Sequence, residues 1–223
     1  MSSDELVVFV HGLGEVPEVW RAQAGALPDG FAPLVIDVFG PAPNKSFSLS
    51  RSAASIAAEI DRIGVAAIHL CGLSLGAMIA LRFAVDYPDR VLSLTLAAGQ
   101  IRLPKTLAIA QQVFMSLIPA KQYVRNGVDK PQMIAALKSA RTTDFSRELA
   151  AVVAPTLVLC GSKDRLGLPG SRALAEAIAN AELRVLAGAG HQSHLQAPEA
   201  FAQALGAFLR APAGVLPKRT FPH

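Results

Sequence analysis

One serine stands out by its neighbours. In "LCGLSLGAMIAL" (residues 70–81), Ser74 lies two residues from Gly72 and two from Gly76, after an apolar run and before a helix-like one. Glycine costs conformational entropy inside strands and helices, so this pair marks backbone that needs room. A Gly-x-Ser-x-Gly pattern between a strand and a helix is the sequence form of a sharp turn that lifts a serine hydroxyl clear of a sheet. The chemistry open to such a hydroxyl is attack on a carbonyl. That requires a base to take its proton and a carboxylate to orient the base.

Partners with this turn follow in the order acid, then histidine. "CGSKD" puts Asp164 just past one apolar run, and "GAGH" puts His191 just past another. Asp37 also follows a strand-like run but precedes Ser74, and "LAAGQ" (97–100 and its preceding leucine) offers no acid. His194 is the nearest rival base. His191 is preferred because Gly188 and Gly190 suit a tight turn after a strand. His69 falls inside a strand and reads as a packed or hydrogen-bonded core residue. The oxyanion of an attacked carbonyl needs fixed donors. The N–H of Leu75, opening a helix, is one candidate; the N–H of Leu13, after His11-Gly12 in "VFVHGLGEVPEVW", is the other. His11 is expected to shape that loop rather than act as base.

The elements that must position these groups alternate. Strand-like runs lie at 6–10, 32–38, 66–73, 91–99, 156–161 and 181–190, with helical patterns at 18–27, 49–63, 75–87, 171–180 and 198–210. Continuous apolar strands separated by helices predict an α/β fold, a mostly parallel sheet of about six strands with helices on both faces. Parallel strands bring Ser74, Asp164 and His191 to one edge of that sheet. Segment 101–142 breaks the rhythm and is expected to be an inserted helical lid between core segments 1–100 and 143–210; 211–223, with three prolines, reads as a tail. Within the lid, Leu107, Ala110, Phe114 and Leu117 share helical spacing, and Phe114 and Leu117 are expected to contact substrate.

Composition narrows the function. With 52% hydrophobic residues and a mean hydropathy of +0.38, the chain can bury a large core, and disorder is not expected. No apolar run approaches the roughly 18 residues of a membrane span, and "MSSDELVVFV" lacks a basic leader region, so a cytoplasmic protein is expected. Cys71 and Cys160 are the only cysteines and make no disulfide framework. Residues 101–150 carry eight basic against three acidic side chains, more than the whole chain's net +4. That excess could draw an anionic substrate. No basic stripe interleaved with aromatics points to nucleic acid, and no metal cluster or nucleotide fingerprint points to a cofactor. Oligomeric state stays open.

Five stretches together resemble the α/β-hydrolases: "VFVHGLGEVPEVW", "LCGLSLGAMIALRFA", "YPDRVLSLTL", "PTLVLCGSKD" and "NAELRVLAGAGHQSHLQAPEAF". The resemblance implies a serine hydrolase with Ser74 as nucleophile, Asp164 as acid, His191 as base and oxyanion amides at Leu13 and Leu75. "LCGLSLGAMIAL" and "GHQSHLQAPEAF" look most like 3-oxoadipate enol-lactonases. Two departures stand beside that: the chain opens at what resembles the family's third strand, and "DVFGPAPNKS" replaces a pocket-shaping loop of many relatives. The expected reaction is cleavage of a small carboxylic ester or lactone. A carbon–carbon bond hydrolase or lyase with the same three residues, and a ligand-binding protein on the same scaffold, remain the alternatives.

Overall fold

The computed structural model describes residues 4–39, 47–103 and 130–211. Six strands form a single sheet: β1 (Glu5–Val10), β2 (Phe31–Ile36), β3 (Ile68–Leu73), β4 (Val91–Ala97), β5 (Thr156–Gly161) and β6 (Ala181–Leu186). Their order is β2-β1-β3-β4-β5-β6, and every neighbouring pair is parallel. Alternation along the strands sorts side chains to two cores. Val8, Val10, Leu70, Leu94, Leu96 and Val158 point to one face. Val7, Phe9, Cys71, Leu73, Leu157 and Leu159 point to the other. All are buried, as expected for a parallel sheet covered on both sides.

The first face is covered by α2 (Leu49–Arg62), α3 (Leu75–Asp86), α4 (Lys130–Thr142) and α5 (Leu168–Ala177). The second is covered by a 3₁₀ turn (Pro17–Trp20) running into α1 (Arg21–Gly25), and by α6 (Ser193–Gln196) and α7 (Pro198–Leu209). The sequence pattern at 18–27 reads as one helix. In the structure the turn and α1 divide it, because Trp20 leaves helical geometry (φ −89°, ψ 1°) as it enters the core. There its ring meets Phe9 at 5.2 Å, Phe201 at 5.7 Å and His194 at 4.6 Å. Strand ends also differ from the sequence reading. β4 stops at Ala97 because Ala98 turns to φ 49°, and β6 stops at Leu186 ahead of the Gly188 turn at φ 76°.

After β1 the chain builds β2 on one side, then returns to place β3 on the other. The loops leaving β1 and β3 therefore diverge to opposite faces and open a crevice, the usual ligand position in open α/β sheets. The turn from β3 into α3 is pressed against β1. A Cβ on Gly72 would fall into the backbone of Gly76 and Ala77, and a Cβ on Gly76 into the carbonyls of Val10 and His11. Ala77, Ala80 and Ala84, all buried, keep the rest of α3 close to the sheet. Beyond β4, Arg102 and Asp144 form an isolated antiparallel bridge, and Phe145 N–H donates to the Ile101 carbonyl at 3.0 Å. Helix α4, just before Asp144, packs Met133, Ala136, Leu137 and Ala140 into the first core.

The remaining sequence expectations about buried polar groups fall at the other strand ends and inside the sheet. His69 lies between Ser93 Oγ (2.7 Å from Nδ1) and Glu5 Oε2 (2.8 Å from Nε2), a hydrogen-bonded residue remote from the loops after the strands. Cys71 and Cys160 are buried free thiols on strands separated by β4. Burial raises both, Cys160 to about 11, so neither is a thiolate near neutral pH. Among the described residues, no helix is long and apolar enough to cross a membrane.

Two stability measurements check this packing. Gly76→Ala should cost more than about 3 kcal/mol, because backbone carbonyls cannot yield to the new methyl. Gly64→Ala, at φ 75° with open space around it, should cost only about 1–2 kcal/mol; urea titration reads both. The second concerns His194, which is fully buried. Burial lowers its pKa and the nearby His191 adds to this, while Glu15 opposes. Below about pH 6.5 the unfolded chain then takes up a proton that the folded protein resists. Stability from this site is complete above that pH and falls as pH drops towards the folded value. The melting temperature should therefore fall between pH 7.5 and pH 5, and fall less in His194→Leu.

Candidate active site

Ser74 sits at the summit of the β3–α3 turn with φ 53° and ψ −109°, a backbone conformation that non-glycine residues adopt at a cost of about 1–3 kcal/mol. Hydrogen bonds hold it there. Its N–H donates to the Ala97 carbonyl at 2.8 Å, and its carbonyl accepts from Met78 N–H at 3.1 Å as α3 begins. Leu75 is the first residue of α3, so its N–H has no partner within the helix and carries the positive end of the helix dipole.

The loops after β5 and β6 are stitched together. Ser162 N–H donates to Leu186 O at 2.9 Å, Lys163 N–H to Ala189 O at 2.8 Å, and Gly188 N–H to Ser162 Oγ at 2.9 Å. This stitching brings His191 Nδ1 to 2.8 Å from Asp164 Oδ2. The other carboxylate oxygen, Oδ1, accepts from Gly167 N–H at 2.9 Å, and a Cβ on Gly167 would strike this carboxylate. Burial pushes the Asp164 pKa up. The hydrogen bond and charge of His191, with the amides of Gly167 and Leu166, outweigh it and leave Asp164 below the ordinary carboxylate range. An ionised Asp164 only accepts, so Nδ1 of neutral His191 carries the proton and Nε2 has its lone pair available.

Ser74 and His191 line one cavity with Leu13, Leu75, Met78, Ala98 and Gln100, together with Leu103 and, from α4, Leu137 and Ala140. The lining is apolar except for Ser74, Gln100 and His191. Leu13 reaches it from the loop after β1. That loop is shaped by His11, whose Nδ1 donates to Gly12 O (3.0 Å) while Nε2 accepts from Val38 N–H (3.1 Å). With both ring nitrogens occupied and no exposed surface, His11 is a structural residue.

The two neighbouring histidines differ in surroundings. The His191 side chain is 44% exposed and paired to Asp164. His194 lies in the Trp20–Phe201 core, and neither of its ring nitrogens is hydrogen-bonded. Phe114 and Leu117, and the basic side chains Lys105, Lys121 and Arg125, lie outside the described residues.

Two contributors escape sequence reading. Gln100, 6% exposed, is the polar residue just beyond β4 in the cavity wall. Glu15, 8% exposed, accepts from Gly12 N–H at 2.8 Å and from Gln192 Nε2 at 2.9 Å. An acid three residues past a glycine turn is a local capping signal that reading could have used. The bond to Gln192 has no local signal.

Among the described residues, no three of His, Cys, Asp and Glu are grouped to hold a metal ion. The putative carbamate hydrolase RutD of Klebsiella pneumoniae subsp. pneumoniae is 26% identical over 234 residues, covering 88% of each chain. A hydrolase from Pseudomonas aeruginosa PA01 superposes with a TM-score of 0.83 at 23% identity, over 95% of this chain and 92% of that one. The enol-lactonase from Burkholderia xenovorans LB400 superposes with a TM-score of 0.79 at 22% identity, over 93% and 92%. The family model described as the alpha/beta hydrolase family matches residues 7–204, and with this fold the chain belongs to that family of hydrolytic enzymes.

Proposed function

We propose that this protein hydrolyses a small carboxylic ester or lactone through an acyl-enzyme formed on Ser74. What supports the reading is one observation: Ser74, on its strained turn, shares a cavity with His191, and His191 is held by an ionised Asp164. In the first half-reaction Ser74 Oγ attacks the carbonyl carbon and its proton passes to His191 Nε2. The negative charge that forms on the carbonyl oxygen is received by the amides of Leu13 and Leu75. Collapse expels the alcohol oxygen, which takes the proton from His191. In the second half-reaction His191 deprotonates water, water attacks the acyl carbonyl, and Ser74 leaves with the returned proton. Asp164 stabilises the imidazolium at each stage and fixes the tautomer.

The apolar lining suits a modest acyl chain. A lactone ring opens by the same steps, with the leaving oxygen retained in the product. A carbamate also offers a carbonyl to the same attack, which makes the relative named a carbamate hydrolase a reason to include carbamates among test substrates.

Three variants test the assignment. Ser74→Ala should reduce p-nitrophenyl acetate turnover to background and abolish labelling by a fluorophosphonate; retained turnover overturns the nucleophile, and an unlabelled wild-type Ser74 favours a binding protein. His191→Ala should be inactive, whereas His194→Leu, judged at a temperature well below its melting point, should keep most of its kcat; the reverse result moves the base to residue 194. Asp164→Asn should lower kcat by roughly 10³–10⁴-fold by imposing the wrong imidazole tautomer, read from steady-state kinetics at pH 7–8.

A further inference from the structure

We infer that Glu15 is a positioning residue, a buried clamp that ties the oxyanion loop to the loop carrying the base; this rests on the roles given above to Leu13 and His191. The Glu15 side chain is 7% exposed. One carboxylate oxygen, Oε2, accepts from Gly12 N–H at 2.8 Å, one residue before Leu13. The other, Oε1, accepts from Gln192 Nε2 at 2.9 Å, one residue after His191. These are segments 177 residues apart in sequence, joined here by a single side chain. Oε1 also lies 3.8 Å from His194 Nε2, whose ring is fixed against Trp20 and Phe201.

A carboxylate only accepts, and both oxygens here meet donors, so the group is matched to this position. Burying a charge is expensive unless it is hydrogen-bonded. That cost is offset only while both loops stay in place, which makes the carboxylate a two-sided restraint. The fit is close on the glycine side: a Cβ on Gly12 would come to 3.0 Å from Glu15 Oε2. The Glu15 carboxylate thus fixes the peptide plane next to the one that carries the Leu13 N–H. That following plane is held at its own carbonyl, Gly12 O, by Glu15 N–H at 3.3 Å and His11 Nδ1 at 3.0 Å, and the same Glu15 side chain ties this loop to the one bearing His191. A second tether, Gly190 N–H donating to Gln196 Oε1, holds the base loop from its other side. Glu15 acts through Leu13 and His191 and does not itself touch the reacting atoms.

The test uses the full chain with p-nitrophenyl acetate and a trifluoromethyl ketone, whose hemiketal oxyanion depends on the Leu13 amide. Glu15→Ala should lower kcat about 10–100-fold with KM within about twofold, because a misplacement of about 1 Å costs on that scale. Ketone affinity should fall by the same factor as kcat/KM. Glu15→Gln should restore most of kcat, since its amide oxygen accepts from Gly12 N–H. Gln192→Ala should lose less than Glu15→Ala, and the double variant should be no worse than Glu15→Ala alone. A Glu15→Ala kcat within twofold of wild type overturns the clamp. So does a loss that Glu15→Gln fails to restore while ketone affinity stays unchanged. If Glu15→Ala does not fold, Glu15→Gln and exposed Gln192→Ala decide, and an unchanged kcat in Gln192→Ala counts against the clamp. Ser74→Ala in the same series separates the two failures: turnover that survives it refutes the nucleophile assignment and leaves the clamp without a reaction to serve.

Discussion

The closest constraint in this fold is contact between backbones. The turn from β3 into α3 lies so near the end of β1 that no side chain fits at residue 76, and it closes on itself so tightly that none fits at residue 72. That approach forces the chain over Ser74 into a conformation that a non-glycine residue otherwise avoids. The parallel pairing of β1 with β3 sets the distance, since Val10, the last residue of β1, pairs with Gly72, one residue before β3 ends. Strain at one residue is tolerable here because α3, with its buried alanine face, and the Ala97 carbonyl fix both sides of the turn. The loop bearing Leu13, the helix start at Leu75 and the hydroxyl of Ser74 are thus positioned by one packing decision.

Electrostatic order follows from that geometry. Asp164 is stabilised as an anion by the His191 ring and by two amides of its own turn, against the cost of partial burial. Its fixed charge selects which imidazole nitrogen holds the proton. Three residues on, His194 experiences the opposite environment, packed among Trp20 and Phe201 and lowered in pKa by burial. The chain changes direction between them at the start of α6, where Ser193 is already buried. One histidine is thereby half-exposed and paired to a carboxylate and the other packed in the core, although they share a short stretch of sequence.

Much of this was readable from residues alone, for physical reasons. Six apolar runs alternating with helical patterns gave the sheet, because burial on both faces leaves no room for polar positions in a central strand. The Ser74 glycines announced the turn, because steric exclusion acts on residue type directly. Chain order and strand ends nominated Asp164 and His191, and the loops after β5 and β6 do meet. Element ends were less legible. β4 and β6 stop before their apolar patterns do, because φ reversal at Ala98 and Gly188 is a property of turn packing. α5 begins at Leu168, three residues ahead of the pattern at 171–180, with a proline in its first turn and Gly167 tied to Asp164. Gln100, and the bond from Gln192 to Glu15, stayed silent because their significance lies in walls or partners contributed by distant segments; only the Glu15–Gly12 bond is local. The lid contacts at Phe114 and Leu117 fall outside the described residues.

The bridge between Arg102 and Asp144, with the Ile101–Phe145 hydrogen bond beside it, has a consequence for the chain length that the fold tolerates there. It fixes where the chain departs after β4 and where it rejoins after α4. Closing a longer or shorter excursion across a fixed neck changes the entropy only logarithmically. The length of chain between the two anchors can therefore change at small cost while the sheet and the cavity at its edge keep their geometry.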